Sequence, residues 1–253
     1  KTITVAPRQG NPPPRLWETA SGMLNSIGLP NKGLDGFLAH DLPELARLPV
    51  PLCVSVMGFD SGELARLVAA VGARPEVALI ELNLSCPNVE TGVLVGADPD
   101  ATAAAVERVR AEAELPLIAK LSPNAADPAA VARAAEGAGA DGVSLINTIR
   151  GMALHPTTRE PWLGARSGGL SGAAVRPVAL EQVAAVAAAV EVPVVGMGGV
   201  ASGRDAADLL AVGAAVVAVG TESFRDPAAG RRISAELAAI RSARPAAERG
   251  RVG

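Results

Sequence analysis

From residue 34 onward the chain alternates short apolar, β-compatible runs with Ala-rich amphipathic segments. That alternation is the pattern of βα units wound around a parallel sheet. Six strands are read: Leu52–Val56, Ala78–Leu82, Leu117–Lys120, Gly142–Ile146, Val192–Val195 and Ala215–Val219. Helices are expected at 62–72, 99–113, 128–138, 172–190, 203–212 and 227–241. Asp60 or Ser61, Asp98, Asp127, Ser171 and Ser202 stand just ahead of helical patterns, where a side-chain oxygen accepts from the free amides of a first turn. No linker interrupts the rhythm, so residues 1–253 are read as one domain.

Upstream of the rhythm, Thr2-Ile3-Thr4-Val5 is strand-like. The run Arg8 to Arg15 holds three prolines, which exclude helix and make it a loop. Gly22 to Asn31 is rich in Gly and Asn and is read as a turn whose backbone can approach a ligand. With 49% hydrophobic and 19% charged residues, 253 positions suffice for one large α/β core. No apolar run approaches the ~20 residues of a membrane helix. The net charge of -3, with scattered Lys and Arg, offers no stripe for nucleic acid, and the lack of Tyr argues against a base-stacking surface. Cys53 and Cys86 lack metal spacing, which favours a reducing cytoplasm over a disulfide framework, and Cys53 is read as core.

Barrels of βα units gather the C-terminal strand ends into one pocket, so the residues after each strand carry the argument about function. Those ends are Ser55-Val-Met-Gly58, Asn83-Leu-Ser-Cys86, Lys120-Leu-Ser-Pro123, Asn147-Thr148, Gly196-Met-Gly-Gly199 and Gly220-Thr221. The stretch Ala78-Leu-Ile-Glu-Leu-Asn-Leu-Ser-Cys-Pro-Asn88 is the centre of the set, an apolar strand stopped by Pro87 with Asn83, Ser85, Cys86 and Asn88 crowded at its end. A free Cys is most often a small buried hydrophobe. Here the flanking Asn83 and Asn88 are costly to bury unpartnered, so the context favours a polar ligand. Lys120 ends an apolar strand and is expected to point into the mouth, where an ammonium stabilises an anion or an electron-rich ring. Gly198-Gly199 and Gly220-Thr221, after the last two strands, are expected to place bare amides beside helix N-termini and so to hold a phosphate. A Rossmann fingerprint is excluded, because its third glycine falls on Ala201.

These motifs, in this order, resemble the class 1 dihydroorotate dehydrogenases, FMN enzymes on a TIM (β/α)8 barrel, and among them the NAD-linked class 1B catalytic subunit. The resemblance runs over nearly the whole chain, through Lys1-Thr2, Gly10-Asn-Pro-Pro-Pro-Arg15, Asn25-Ser-Ile-Gly-Leu-Pro-Asn31, Asn83-Leu-Ser-Cys-Pro-Asn88, Lys120-Leu-Ser-Pro-Asn124, Asn147-Thr148, Gly168-Gly-Leu-Ser-Gly172, Gly196-Met-Gly-Gly-Val200 and Gly220-Thr221. It implies Cys86 as the base that takes a proton from C5 of dihydroorotate while hydride passes from C6 to the flavin. It implies Lys1, Asn25, Ser26, Ile27, Gly28, Leu29, Asn83, Asn88, Asn147 and Thr148 around the pyrimidine. Flavin contacts are implied at Lys1, Thr2, Ser55, Asn83, Lys120, Ile146 and Gly172, with Gly198, Gly199, Gly220 and Thr221 around the phosphate; no metal is implied. Nothing in the chain binds NAD, so the resemblance also implies a separate subunit carrying FAD and a [2Fe–2S] cluster, with a homodimer of this chain at the core of a heterotetramer.

Where the family keeps a mobile glycine-rich loop, this chain has Val89-Glu-Thr-Gly-Val-Leu-Val-Gly96, with aliphatics at some of its positions. His40 and His155 match no catalytic position and are read as loop or surface residues. Two other readings stand beside dihydroorotate oxidation. One is a flavin enzyme acting on uracil-type pyrimidines, disfavoured because Asn88 stands where that group places His; the other is a non-flavin phosphate-binding barrel. Because only six strands are read and the resemblance sets two more ahead of Lys1, the barrel is expected to be truncated, with its first two strands largely missing. Leu52–Val56 and Ala215–Val219 would then have unpaired edges, and FMN binding would be poor until roughly 40 upstream residues were restored.

Overall fold

A computed structural model describes residues 2–84 and 94–243. In chain order it comprises β1 (Leu16–Thr19), β2 (Gly22–Asn25), α1 (Gly33–Gly36), α2 (Leu42–Leu45), β3 (Leu52–Val56), α3 (Ser61–Gly72), β4 (Val77–Asn83), α4 (Pro99–Arg110), β5 (Leu117–Lys120), α5 (Pro128–Gly137), β6 (Gly142–Leu145), β7 (Ile149–Gly151), β8 (Gly168–Ser171), α6 (Arg176–Ala187), β9 (Val194–Met197), α7 (Gly203–Ala211), β10 (Val216–Ala218) and α8 (Ala229–Ala243). A π-helical turn, Phe37–Asp41, joins α1 to α2.

The six strands read from the sequence form one parallel sheet in the order β10-β9-β6-β5-β4-β3. One face of that sheet packs against the helices, and there the side chains are fully buried: Val56, Ile80, Leu82, Leu117, Ala119 and Val143 are at 0% exposure. Alternate residues point to the other, concave face, as the two-residue strand period requires. Cys53 is on that concave face and is exposed, which corrects its reading as core. Helix starts follow the capping rule: Asp60, Asp98, Asp127 and Ser202 accept from the amides of Glu63, Ala101, Ala130 and Asp205 at 2.8, 2.8, 2.9 and 3.2 Å. Ser171 is the exception. It ends β8, its hydroxyl donates to the Met23 carbonyl at 3.4 Å, and α6 begins five residues later behind a 3-10 turn.

The second sheet has no counterpart in the sequence reading. Strands β1, β2, β8 and β7 pair antiparallel in that order, so Gly22–Asn25 is a strand and the glycine-rich turn expected there is a hairpin arm. Ile3 is a single parallel bridge to Val56, its amide donating to Ser55 at 2.9 Å and its carbonyl accepting from Met57 at 3.0 Å. The outer edge of β3 is therefore partly paired, whereas no further strand pairs with β10 among the described residues.

Candidate active site

The two sheets enclose a cavity of about 980 Å³ between them. Its floor is the C-terminal ends of the parallel strands: Glu81, Lys120, Ile146 and Met197, with Asn147 and Thr148 beyond β6. Its roof comes from the antiparallel sheet and its hairpin, including Leu16, Glu18, Gly22, Met23, Asn25 and Ser171. Gly172, Gly198, Gly199, Gly220 and Thr221 close one end. The parallel sheet thus collects its strand ends as a barrel does, and segments far apart in sequence meet there.

Gly198 and Gly199 are required by geometry. Their φ values are +129° and +74°, and a Cβ on Gly199 would sit 2.6 Å from Cβ of Arg176, while one on Gly198 would sit 2.7 Å from Cβ of Ala179. Bare backbone is what lets this turn run between β9 and the start of α6. The first amides of α7 itself, which are separate from those of the two glycine turns named in the sequence reading, are engaged. The Gly203 amide donates to Glu236 Oε2 at 2.7 Å and the Ala201 amide to Asp205 Oδ2 at 3.1 Å, so carboxylates already occupy that end. The Gly203 amide, and then Arg232, hold the Glu236 carboxyl below its usual range. Arg232 in turn donates to the Ala201 carbonyl at 3.2 Å and to Glu222 at 3.1 Å, tying the two glycine turns together.

On the concave face the expected flavin positions form one network. Asn83 Nδ2 donates to Thr2 Oγ1 at 3.1 Å, and Thr2 and Ser55 share a hydrogen bond of 3.0 Å. The Ser55 hydroxyl then donates to Glu81 Oε1 at 3.1 Å, and the same oxygen lies 3.5 Å from Lys120 Nζ. Ser144, fully buried, donates to Glu81 Oε2 at 3.0 Å. Glu81 is the shared anion of the network and was missed by sequence reasoning, which treated the strand as apolar. The signal was present: an ionisable residue two positions before Asn83 lies on the same face of the strand.

Other expected residues are distributed unevenly. Asn25 and Ile27 line the cavity, and Asn25 Nδ2 donates to the Gly169 carbonyl at 3.3 Å. Ser26 is buried and accepts from Asn11 Nδ2 at 2.7 Å; Gly28 and Leu29, at φ +76° and +56°, shape the turn behind them. None of these three lines the cavity. Asn147 Oδ1 accepts from the Thr148 amide at 2.8 Å. Lys1, Ser85, Cys86 and Asn88 lie outside the described residues. His40 is exposed, and His155 stacks on Trp162 with centroids 5.4 Å apart, both away from the cavity lining.

The family model described as dihydroorotate dehydrogenase matches residues 1–240. The chain belongs to the dihydroorotate dehydrogenase family. Among curated proteins it is 48% identical over 238 residues to the "dihydroorotate dehydrogenase B (NAD(+)), catalytic subunit" of Desulforudis audaxviator, covering 94% of this chain and 78% of that protein. The protein of the same name in Trichlorobacter lovleyi is 47% identical over 235 residues, covering 92% and 77%, and that of Listeria monocytogenes is 44% identical over 238 residues, covering 94% and 78%. In fold, the chain is similar to the dihydroorotate dehydrogenase of Eimeria tenella in complex with ferulenol, with a TM-score of 0.76, 24% identity, and coverage of 94% of this chain and 73% of that one. No helix among the described residues is long and apolar enough to cross a membrane, and no group of three or more metal-binding side chains occurs among them.

Proposed function

We propose that this chain oxidises (S)-dihydroorotate to orotate, a step of pyrimidine (UMP) biosynthesis, with FMN as its cofactor. The observation that carries the reading is the single cavity into which Lys120, Ile146, Gly172, Gly198, Gly199, Gly220 and Thr221 converge with Asn25, Asn147 and Thr148, in a chain of this family. FMN fits this site on three grounds: a volume at the upper end of the range for ligand pockets, side-chain-free turns at one end, and an ammonium on the floor. Bound FMN supplies the hydride acceptor. Lys120 offers the positive charge that an electron-rich ring attracts, and the amides of Asn25, Asn83 and Asn147 supply donors and acceptors for the pyrimidine. Cys86 comes three positions after the end of β4 in the sequence, and in this reading it takes the C5 proton as thiolate, with Asn88 two positions further on. Lys1, Ser26, Gly28 and Leu29 complete the set by their place in the motifs.

The sheet is read as six consecutive strands of a (β/α)8 barrel, residues 1–253 being one domain. Electrons leave through a separate subunit carrying FAD and a [2Fe–2S] cluster to NAD, and a homodimer of this chain forms the core of a heterotetramer in the cytoplasm. The words "NAD(+)" and "catalytic subunit" in the names of the curated relatives, and the missing Rossmann fingerprint, support a separate subunit that passes electrons to NAD. The test is orotate formation by the intact protein with and without such a subunit. NAD reduction that appears only with the subunit is expected. Dihydrouracil oxidised faster than dihydroorotate would overturn the substrate, and rapid fumarate reduction by the catalytic chain alone would overturn the acceptor.

A further inference from the structure

Glu81 is half-way along the mouth of the parallel sheet, and three strands converge on it. Ser55 is its direct neighbour in the β3–β4 register, Lys120 is two pairs further along β5, opposite Asn83, and Ser144 is opposite Lys120 on β6. Both carboxylate oxygens are engaged: Oε1 accepts from Ser55 and faces Lys120, while Oε2 accepts from Ser144. The Glu81 side chain is only 14% exposed and that of Lys120 22%. Removing a charged pair this far from water costs free energy, and well-packed apolar side chains often serve stability as well or better. Fold stability therefore gives little reason for an acid here. Both residues nonetheless line the cavity, with the Lys120 ammonium held 3.5 Å from the carboxylate.

We propose that Glu81 is a positioning residue, which anchors the Lys120 ammonium against the sheet and, by offsetting part of its charge, sets how strongly the cavity prefers reduced over oxidised flavin. The proposal rests on the FMN reading above. An ammonium without its counter-ion attracts the more electron-rich, reduced ring more strongly; the same ammonium beside Glu81 attracts it less. The side chain acts through Lys120, and its isosteric amide keeps the shape and an acceptor for the serine hydroxyls while removing the charge.

The test compares the intact, FMN-loaded wild-type protein with Glu81→Gln, Lys120→Met and the double variant, measuring the flavin midpoint potential and the FMN dissociation constant. In Glu81→Gln the ratio of reduced to oxidised flavin affinity is expected to rise about tenfold, which for a two-electron couple is about 30 mV upward. Lys120→Met shifts the potential downward, and adding Glu81→Gln to it produces no further shift, since the effect travels through the ammonium. Glu81→Asp keeps the charge but retracts it, so a smaller upward shift is expected; it replaces Glu81→Gln if that variant does not fold. A merely structural role would weaken FMN binding in both redox states and leave the potential in place. An unmoved potential in whichever Glu81 variant folds, with flavin bound and still reduced by dihydroorotate, overturns this proposal and leaves the proposed function standing. A wild-type protein that takes up no FMN overturns both.

Discussion

The parallel and antiparallel sheets contribute to the same cavity but are built differently. Strands β3 to β6, β9 and β10 are spaced one βα unit or so apart; β3 to β6 bury one face under helices, with core residues at zero exposure, and at the β10 edge the burial fades, Val216 being 55% exposed. Strands β1, β2, β7 and β8 have three or four residues each, are half-buried along most of their length, and join segments nearly 150 positions apart, as in Met23 opposite Ser171. The first sheet is a scaffold with its own core; the second is a thin roof held mainly by backbone pairing. Glu81, Lys120 and Met197 line the cavity from the scaffold, and Gly22, Met23 and Asn25 line it from the roof.

The sharpest way to break this division is at the scaffold's strand ends. Cys86→Ser is expected to lower turnover near neutral pH by about 10²–10⁴-fold, the usual contribution of a positioned general base, with flavin still bound. Wild-type turnover in steady-state assays at pH 7 would move the base elsewhere.

Cys53 tests the concave face itself. Although the residue as a whole is exposed, burial around its thiol, and then the Glu81 carboxylate, push its pKa from 9.0 up to about 11, with Lys120 pulling the other way. Iodoacetamide at pH 8, used in a Cys86→Ser background, is therefore expected to alkylate Cys53 about a hundredfold more slowly than a free thiol, because only the thiolate reacts. The same shift has a definite sign for stability. The contribution of the neutral thiol is fully present below pH 9.0 and is lost as pH rises through about 11. Rapid labelling would show that the face is not desolvated around this residue.

Stability should separate the sheets next. Leu82→Ala, in the scaffold core at 0% exposure, is expected to cost about 2–5 kcal/mol in denaturant unfolding. Leu170→Ala, in the half-buried strand β8, should cost about 1 kcal/mol, near the centre of the range for single substitutions. Equal losses would mean that the roof carries as much packing as the scaffold.

The most local effect, on binding rather than on folding, is expected at the glycine turn. Gly199→Ala forces a Cβ into a φ of +74° and against Arg176, and local strain of about 1–3 kcal/mol predicts FMN affinity reduced about tenfold with little loss of fold. Unchanged affinity for FMN would place the phosphate elsewhere.

The scaffold was legible because each of its strands is a local apolar run and four of its helices, α3, α4, α5 and α7, announce themselves with a cap such as Asp98 or Asp127. The roof was not, since Gly168-Gly169 and Gly22 look like turn residues, and only pairing across long sequence separations makes strands of them. The candidate site divides along the same line. Lys120, Asn147 and Thr148 could be found as strand-end polar residues, whereas Glu81 was hidden inside a run that is otherwise apolar, and Ser171 looked like a cap because it precedes a helical pattern. Periodicity of two, applied to β4 alone, would have put Glu81 and Asn83 on one face.

The central claim is that one cavity beneath the roof binds FMN and delivers dihydroorotate to it. The most direct measurement is to mix the intact protein, purified with its flavin, anaerobically with dihydroorotate and follow the oxidised-flavin absorption band while assaying for orotate. Bleaching of the band with one orotate formed per flavin reduced is predicted. A flavin that stays oxidised, or a protein that binds none, would contradict the account.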